Sequence, residues 1–279
     1  MSDRFTIIGA KGFIGRHLVL HLEKTGAPVM AVDRVAGGLP HVLGHVIDCG
    51  GLTADFRVRR AELFEAHASR VDRFLESARF ASYLYLSSTR LYKSRAETHE
   101  HAALEVSPAE FDDSYNISKI AGESICLMAE NPAVRVARLS NVIGANRDPS
   151  IFLTSLIETA LATGRIVLEE SVASAKDYID VRDVCRYLEL IATRGRHRLY
   201  NVAYGENRSH GEILDRLSKH IEFSVEAPPA PRRAFPPIAT GRLRAEFGAP
   251  EHSPEAALDA IVPIFKTRDA LQRLRAETS

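Results

Sequence analysis

Apolar residues along the chain fall into short continuous runs, and between the runs they recur every three or four positions. Phe5-Thr6-Ile7-Ile8, Val29-Met30-Ala31-Val32, Val46-Ile47-Asp48-Cys49 and Tyr83-Leu84-Tyr85-Leu86 read as short buried strands. Helical spacing predicts helices over about Phe13–Lys24 and Ala61–Ser77, and a third over Ile117–Ala129. Strands alternating with helices predict an α/β fold built on a doubly wound parallel sheet. Only a loop or one stub strand fits between Asp33 and His45, because a right-handed crossover needs a dozen or more residues. The sheet is therefore expected to be shortened between its second and fourth strands. In the second half, the pattern predicts a loop and helix up to Thr163 and a strand over Gly164–Leu168. A helix over Asp183–Ala192 follows, and Ser209 with Glu212 three residues on reads as a capping box. The proline-rich stretch Ala227–Pro237 reads as a loop.

Composition narrows the class. Of 279 residues, 45% are hydrophobic and 26% charged, as in a soluble globular protein with a sizeable core. Lys+Arg and Asp+Glu both number 36, so net charge gives no support for nucleic acid or an anionic membrane as partner. Cys49, Cys126 and Cys185 are far apart and read as reduced core residues, neither a disulfide frame nor a zinc site. The chain enters its first strand with no basic-then-apolar leader, and no apolar run is long enough to span a bilayer, so the cytoplasm is the expected location. Glu97-Thr98-His99-Glu100-His101 lacks the helical spacing of a metal motif and reads as a solvated loop.

Candidate chemistry sits where strands end. Gly9-Ala10-Lys11-Gly12-Phe13-Ile14-Gly15 joins the first strand to a helix, and the second strand ends at Asp33. Glycines permit a tight turn and close backbone approach, and a helix N-terminus offers N–H groups to a pyrophosphate. The fourth apolar run delivers Ser87, Ser88 and Thr89 at its carboxyl end, where open parallel sheets bind ligands. Tyr115 and Lys119, four apart in Ser114-Tyr115-Asn116-Ile117-Ser118-Lys119, would share one helix face. A nearby ammonium favours the phenolate, and bringing a tyrosine from a pKa near ~10 to about 7 needs roughly 4 kcal/mol of differential interaction.

Taken in order, these segments resemble an extended short-chain dehydrogenase/reductase of the NAD-dependent epimerase/dehydratase type, which remodels nucleotide-activated sugars. The resemblance rests on the GxxGFIG turn, Asp33, the strand and turn from Val46 to Leu52, Ser87-Ser88-Thr89-Arg90-Leu91-Tyr92 and Tyr115 with Lys119. It continues through Arg138-Leu139-Ser140-Asn141-Val142-Ile143-Gly144, Lys176-Asp177-Tyr178-Ile179-Asp180 and Tyr200-Asn201-Val202-Ala203. It implies a Rossmann-type domain over residues 1–145, joined by elements from about 176–205, and a mainly substrate-binding part over 146–279. Hydride transfer at a sugar carbon is the implied chemistry, as epimerisation or as ketoreduction. A small carbonyl substrate and a non-catalytic NAD(P)-binding regulator are the alternatives.

Residue by residue, the resemblance makes Tyr115 the acid/base, Lys119 its ribose-holding partner and Ser88 the hydroxyl that bonds the reacting oxygen. It places the cofactor on Gly9, Gly12, Phe13, Ile14, Asp33, Cys49, Gly50 and Gly51, and the substrate on Thr89, Asn141 and Lys176. His67 stands where the family usually has an asparagine facing the cofactor, and Lys176 replaces an arginine used on the substrate diphosphate. Arg232 and Arg233 are further candidates for that diphosphate. Thr89-Arg90 replaces the Asp-Glu pair of sugar 4,6-dehydratases, which speaks against that reaction. Asp33 favours NAD, because an acid beside a 2′-phosphate is costly, although Lys11 and Arg34 would neutralise the phosphate of NADP. The family pairs its helices near 61–77 and 115–129 with their twins, so a homodimer is expected.

Overall fold

A computed structural model describes residues 3–33, 42–52, 54–57, 59–93, 95–146, 148, 151–227, 229, 232–233 and 235–277. Strand β1 (Phe5–Ile8) runs into α1 (Phe13–Lys24), and β2 (Val29–Val32) and β3 (His45–Asp48) follow. Next come α2 (Arg70–Ser77), β4 (Ser82–Ser88), α3 (Asp113–Met128) and β5 (Val134–Leu139). Together with β9 (Leu199–Val202) these strands form a parallel sheet, with six strands described in the order β2-β1-β3-β4-β5-β9. No strand lies outside β2 among the described residues; most of the interval expected to be shortened, residues 34–41, falls outside them. Arg34 lies outside the described residues.

Successive residues feed opposite faces of the sheet. Ile7, Ile47, Leu84 and Leu86 pack with Leu18, Leu22, Val184 and Leu188 on one side. Ile8, Val46, Tyr83 and Tyr85 pack with Val71, Phe74 and Cys126 on the other. Burial on both faces is why these strands read as continuous apolar runs.

The rest of the chain builds a second apolar cluster. Its elements are β6 (Asn141–Ile143), α4 (Phe152–Thr163), β7 (Arg165–Val167) and β8 (Ala175–Asp180). Helix α5 (Val181–Arg194) then crosses back to the large sheet and leads to β9. Strand β10 (Asn207–Ser209), α6 (His210–Ser218), β11 (Ser224–Glu226), α7 (Gly241–Phe247) and α8 (Pro254–Glu277) follow. The second cluster joins Leu153, Leu156 and Ile157 of α4 to Ile213 and Leu217 of α6 and Leu258, Ile261 and Val262 of α8. Ser209 and Glu212 close the expected capping box at the start of α6.

Three local expectations need correction. Helix α3 begins at Asp113, four residues before the predicted start. Asp113 anchors it by accepting from Ser107 N at 2.7 Å and Asn116 Nδ2 at 2.8 Å, and by pairing with Lys93. The helix expected over 61–77 is regular only from Arg70; before it lie a 3₁₀ turn, Arg60–Glu62, and a π-helical turn, Glu65–Ser69. The extra residue of a π turn rotates the chain, and here His67 is buried. The 97–101 segment is also more than a solvated loop. Thr98 and Glu100 are buried, and they bind Asn201 at the end of β9 through Thr98 O at 2.7 Å and Glu100 Oε1 at 3.2 Å.

Candidate active site

The glycine turn between β1 and α1 packs tightly on the loop after β3. A Cβ added to Gly9 would lie 2.8 Å from Gly50 N and 2.9 Å from Cys49 O, and Gly9 has a φ of 72°. Only glycine fits that conformation and that approach without strain. Gly12 forms the N-cap of α1 without a side-chain cap, so the first N–H groups of the helix are open to an anion. The loop after β3 is fixed from below by Asp48, which is fully buried. Its carboxylate takes a two-pronged contact from Arg70 at 2.9 and 3.0 Å, a hydrogen bond from the Tyr83 hydroxyl, and one from Gly50 N at 3.0 Å. Sequence reasoning placed Asp48 in a strand and missed this role, because Arg70 and Tyr83 arrive from distant elements.

A cavity of about 300 Å³ opens beside this loop, lined by Phe13, Ile14, Cys49, Gly50, Gly51, Ser88, Tyr115 and Lys119. A cleft of about 360 Å³ adjoins it, sharing Ser88, Asn141 and Lys176 and adding Thr89, Arg90, Glu170 and Arg233. Most predicted positions thus converge. Arg232 is exposed and stands apart from the lining, and Lys11 and Asp33 lie further out, paired with each other at 3.0 Å. Asn141 donates Nδ2 to Asp177 O at 2.8 Å. Lys176 and Arg233 both face Glu170, at 3.8 and 3.6 Å, a neighbour that sequence reasoning did not single out.

Tyr115 and Lys119 share one face of α3, 8% and 6% exposed. Lys119 Nζ donates to Leu86 O at 2.9 Å and stands 6.0 Å from the Tyr115 ring centre. Burial lowers the lysine pKa to about 8, against a smaller upward pull from Asp48. The expectation that Lys119 lowers the tyrosine is not met in the protein by itself. Burial raises the Tyr115 pKa, and the opposing pull comes from Arg90, whose guanidinium lies 5.4 Å from the ring centre, and from the Ser88 hydroxyl.

His67 ties the cofactor-side loop to α3. Its Nδ1 lies 2.9 Å from Ser118 Oγ, and that hydroxyl donates to Tyr115 O at 2.7 Å. Its Nε2 lies 3.0 Å from both Leu52 N and Leu52 O. Burial, and then the Lys119 charge, depress its pKa to about 2, so the ring stays neutral. A Cβ on Gly122 would lie 2.2 Å from His67 O, so α3 approaches this turn as closely as it does only because residue 122 is glycine.

The open helix N-terminus and the apolar walls of the smaller cavity, beside the tightly packed glycine turn, fit a dinucleotide. Comparison with known proteins agrees. The sequence profile of the NAD dependent epimerase/dehydratase family matches residues 41–203, and the chain belongs to that family. It is 26% identical over 260 residues to the GDP-6-deoxy-D-mannose reductase of Pseudomonas aeruginosa, covering 84% of this chain and 85% of that protein. It is also 26% identical over 260 residues to a dTDP-glucose 4,6-dehydratase of Streptomyces griseus, covering 78% of each. In fold it is similar to RMD from Pseudomonas aeruginosa complexed with NADPH, with a TM-score of 0.79 and 23% identity over 96% of this chain and 99% of that one. The chain is thus a member of an NAD(P)-dependent family of nucleotide-sugar reductases, epimerases and dehydratases. Among the described residues, no helix is long and apolar enough to cross a membrane.

Proposed function

We propose that the protein moves hydride between NAD(P) and one carbon of a nucleotide-activated sugar, as an epimerase or as a reductase of a keto sugar. The observation that carries this reading is the convergence of Ser88, Tyr115 and Lys119 on the cofactor-type cavity, with Ser88 also lining the adjoining cleft. When bound, the nicotinamide supplies or accepts the hydride. Tyr115 takes the hydroxyl proton during oxidation and returns it to the carbonyl oxygen during reduction, and Ser88 donates a hydrogen bond to the same oxygen. Lys119, charged below about pH 8, would hold the ribose and, together with the positively charged nicotinamide, would favour the phenolate once the cofactor is bound. Gly9, Gly12, Phe13, Ile14, Cys49, Gly50 and Gly51 hold the dinucleotide.

Asp33 stands at the end of β2 to bind the adenosine ribose hydroxyls, which favours NAD; Lys11 already pairs with that acid. Thr89, Asn141, Lys176 and Arg233 hold the substrate, the two cations on its diphosphate. Thr89 and Arg90 carry no carboxylate, so 4,6-dehydration through an acidic pair after Ser88 forms no part of this reading. Residues 1–145 with the return of about 176–205 make the cofactor half, and 146–279 mainly the substrate half. The protein is cytoplasmic and pairs as a homodimer through the α2 and α3 faces, where Met128 is 80% exposed beside half-buried Leu75 and Ile125.

Mass spectrometry of small molecules released from the denatured protein tests the reading. Retained NAD⁺ identifies an epimerase, and stoichiometric oxidation of added NAD(P)H by a keto sugar identifies a reductase. A protein that neither retains nor binds NAD(P)(H) refutes both.

A further inference from the structure

Positive charge lines the cleft in two separate places. Lys176 and Arg233 stand beside Asn141, where the proposed function puts the diphosphate. Arg57 and Arg90 line the same cleft at the Tyr115 end. Arg90 follows Ser88 by two residues, and its backbone N–H is held by Ser88 Oγ at 3.2 Å. Its guanidinium carbon lies 5.4 Å from the ring centre of Tyr115 and 5.5 Å from that of Phe56, itself 1% exposed, so two anchored rings fix its position.

Among the described residues the fork makes no hydrogen bond, and its carboxylate contact is an ion pair with Asp112. Its nearest carboxylate oxygen, Asp112 Oδ2, is 3.6 Å away, beyond hydrogen-bond range, and the other oxygen of Asp112 is taken by Arg57 at 2.8 Å. A guanidinium keeps its proton and presents several N–H donors in one plane. Here that plane is held beside the Tyr115 ring, and among the described residues no acceptor lies within hydrogen-bond distance of it.

We infer that Arg90 receives a carboxylate carried on the sugar ring, so that the substrate is a nucleotide-activated uronic acid. This rests on the proposed function and adds to it a second anion on the far side of the reacting carbon from the diphosphate. A carboxylate accepts two parallel N–H bonds from such a fork, whereas the hydroxymethyl group of a neutral hexose accepts one and leaves the rest of the fork unsatisfied. Arg90 binds and orients, and moves no proton.

Titration calorimetry on the full chain with saturating NAD⁺ tests this, using UDP-glucuronate against UDP-glucose and GDP-mannuronate against GDP-mannose, with free UDP and GDP as references. For whichever base binds, the uronate should bind about tenfold or more tightly than its neutral hexose. Arg90→Gln should bring that ratio near one while free nucleoside diphosphate binds as to wild type. Arg90→Lys, which keeps the charge and loses the fork, should fall between, and it carries the test if Arg90→Gln fails to fold. A ratio near one in the wild type, or one that survives either substitution, overturns the inference alone. Failure of every nucleoside diphosphate and nucleotide sugar to bind overturns the nucleotide-sugar reading together with it.

Discussion

Replacing His67 by asparagine separates the two things this residue does, because only one of them depends on pH. The imidazole is fully buried and pairs on both sides, with Ser118 Oγ at 2.9 Å and Leu52 N at 3.0 Å. Nε2 lies 3.0 Å from both Leu52 N and Leu52 O, so the neutral ring has a backbone partner there in either tautomer. Asparagine can keep one of these contacts but is too short to keep both, and losing a buried hydrogen bond costs about 1–3 kcal/mol at neutral pH. The second effect follows from the depressed pKa, about 2 in the fold against an ordinary 6.5. Below pH 6.5 the unfolded chain binds a proton that the folded chain refuses. The contribution of His67 is therefore whole above 6.5 and drains away as pH falls toward about 2. Between pH 7.5 and 5.0 that loss amounts to about 2 kcal/mol. Asparagine does not titrate, so the variant should be less stable at pH 7.5 and should lose about 2 kcal/mol less on going to pH 5.0. His17, His45 and His210, whose pKa values burial also lowers, contribute equally to both proteins and cancel in the comparison. Urea unfolding of wild type and His67→Asn at the two pH values measures the difference. Parallel pH dependence in the two proteins would show that His67 is not held neutral by the fold.

Tyr115→Phe should lower turnover by about 10²–10⁴-fold while NAD(H) affinity stays within about twofold, as read by steady-state kinetics and cofactor fluorescence. Equal turnover would remove Tyr115 from the chemistry. Arg138→Leu should cost about 3–5 kcal/mol in urea unfolding, because it strands Glu123, 3% exposed and bound by that guanidinium at 2.6 and 2.8 Å. A loss below 1 kcal/mol would mean that water reaches the acid. Gly9→Ala should abolish dinucleotide binding in calorimetry, since its Cβ would lie 2.8 Å from Gly50 N; unchanged affinity would place the cofactor elsewhere. Light scattering at micromolar concentration should give twice the chain mass of 30.8 kDa, and a single-chain mass would refute the homodimer.

Much of this protein is set by spacing alone. Strands β1 and β2 and helix α1 fall on the predicted residues, because a run of four apolar residues, a glycine turn and a 3.6-residue period are local signals. The shared face of Tyr115 and Lys119 is equally local, since residues four apart on a helix lie one above the other. The expected truncation after Asp33 rests on the same kind of local count, residues against the length of a crossover.

Other features exist only because distant segments meet. The sequence contains Arg90, but only the packing of the turn after β4 against α3 and Phe56 brings its charge to Tyr115. Burial likewise decides that Tyr115 is raised and Lys119 lowered, and burial is a property of the whole fold. Glu170 meets Lys176 and Arg233 because β8 and the segment at 233 lie side by side, where Ala175 N is bound by Arg233 O at 3.0 Å. The π turn at His67 leaves no mark in apolar periodicity. It is seated closely against Gly122, a contact between residues 55 apart in the chain. Local pattern sets the elements and their order; which charge faces which ring depends on how they pack, and the chemistry of the site depends on that packing.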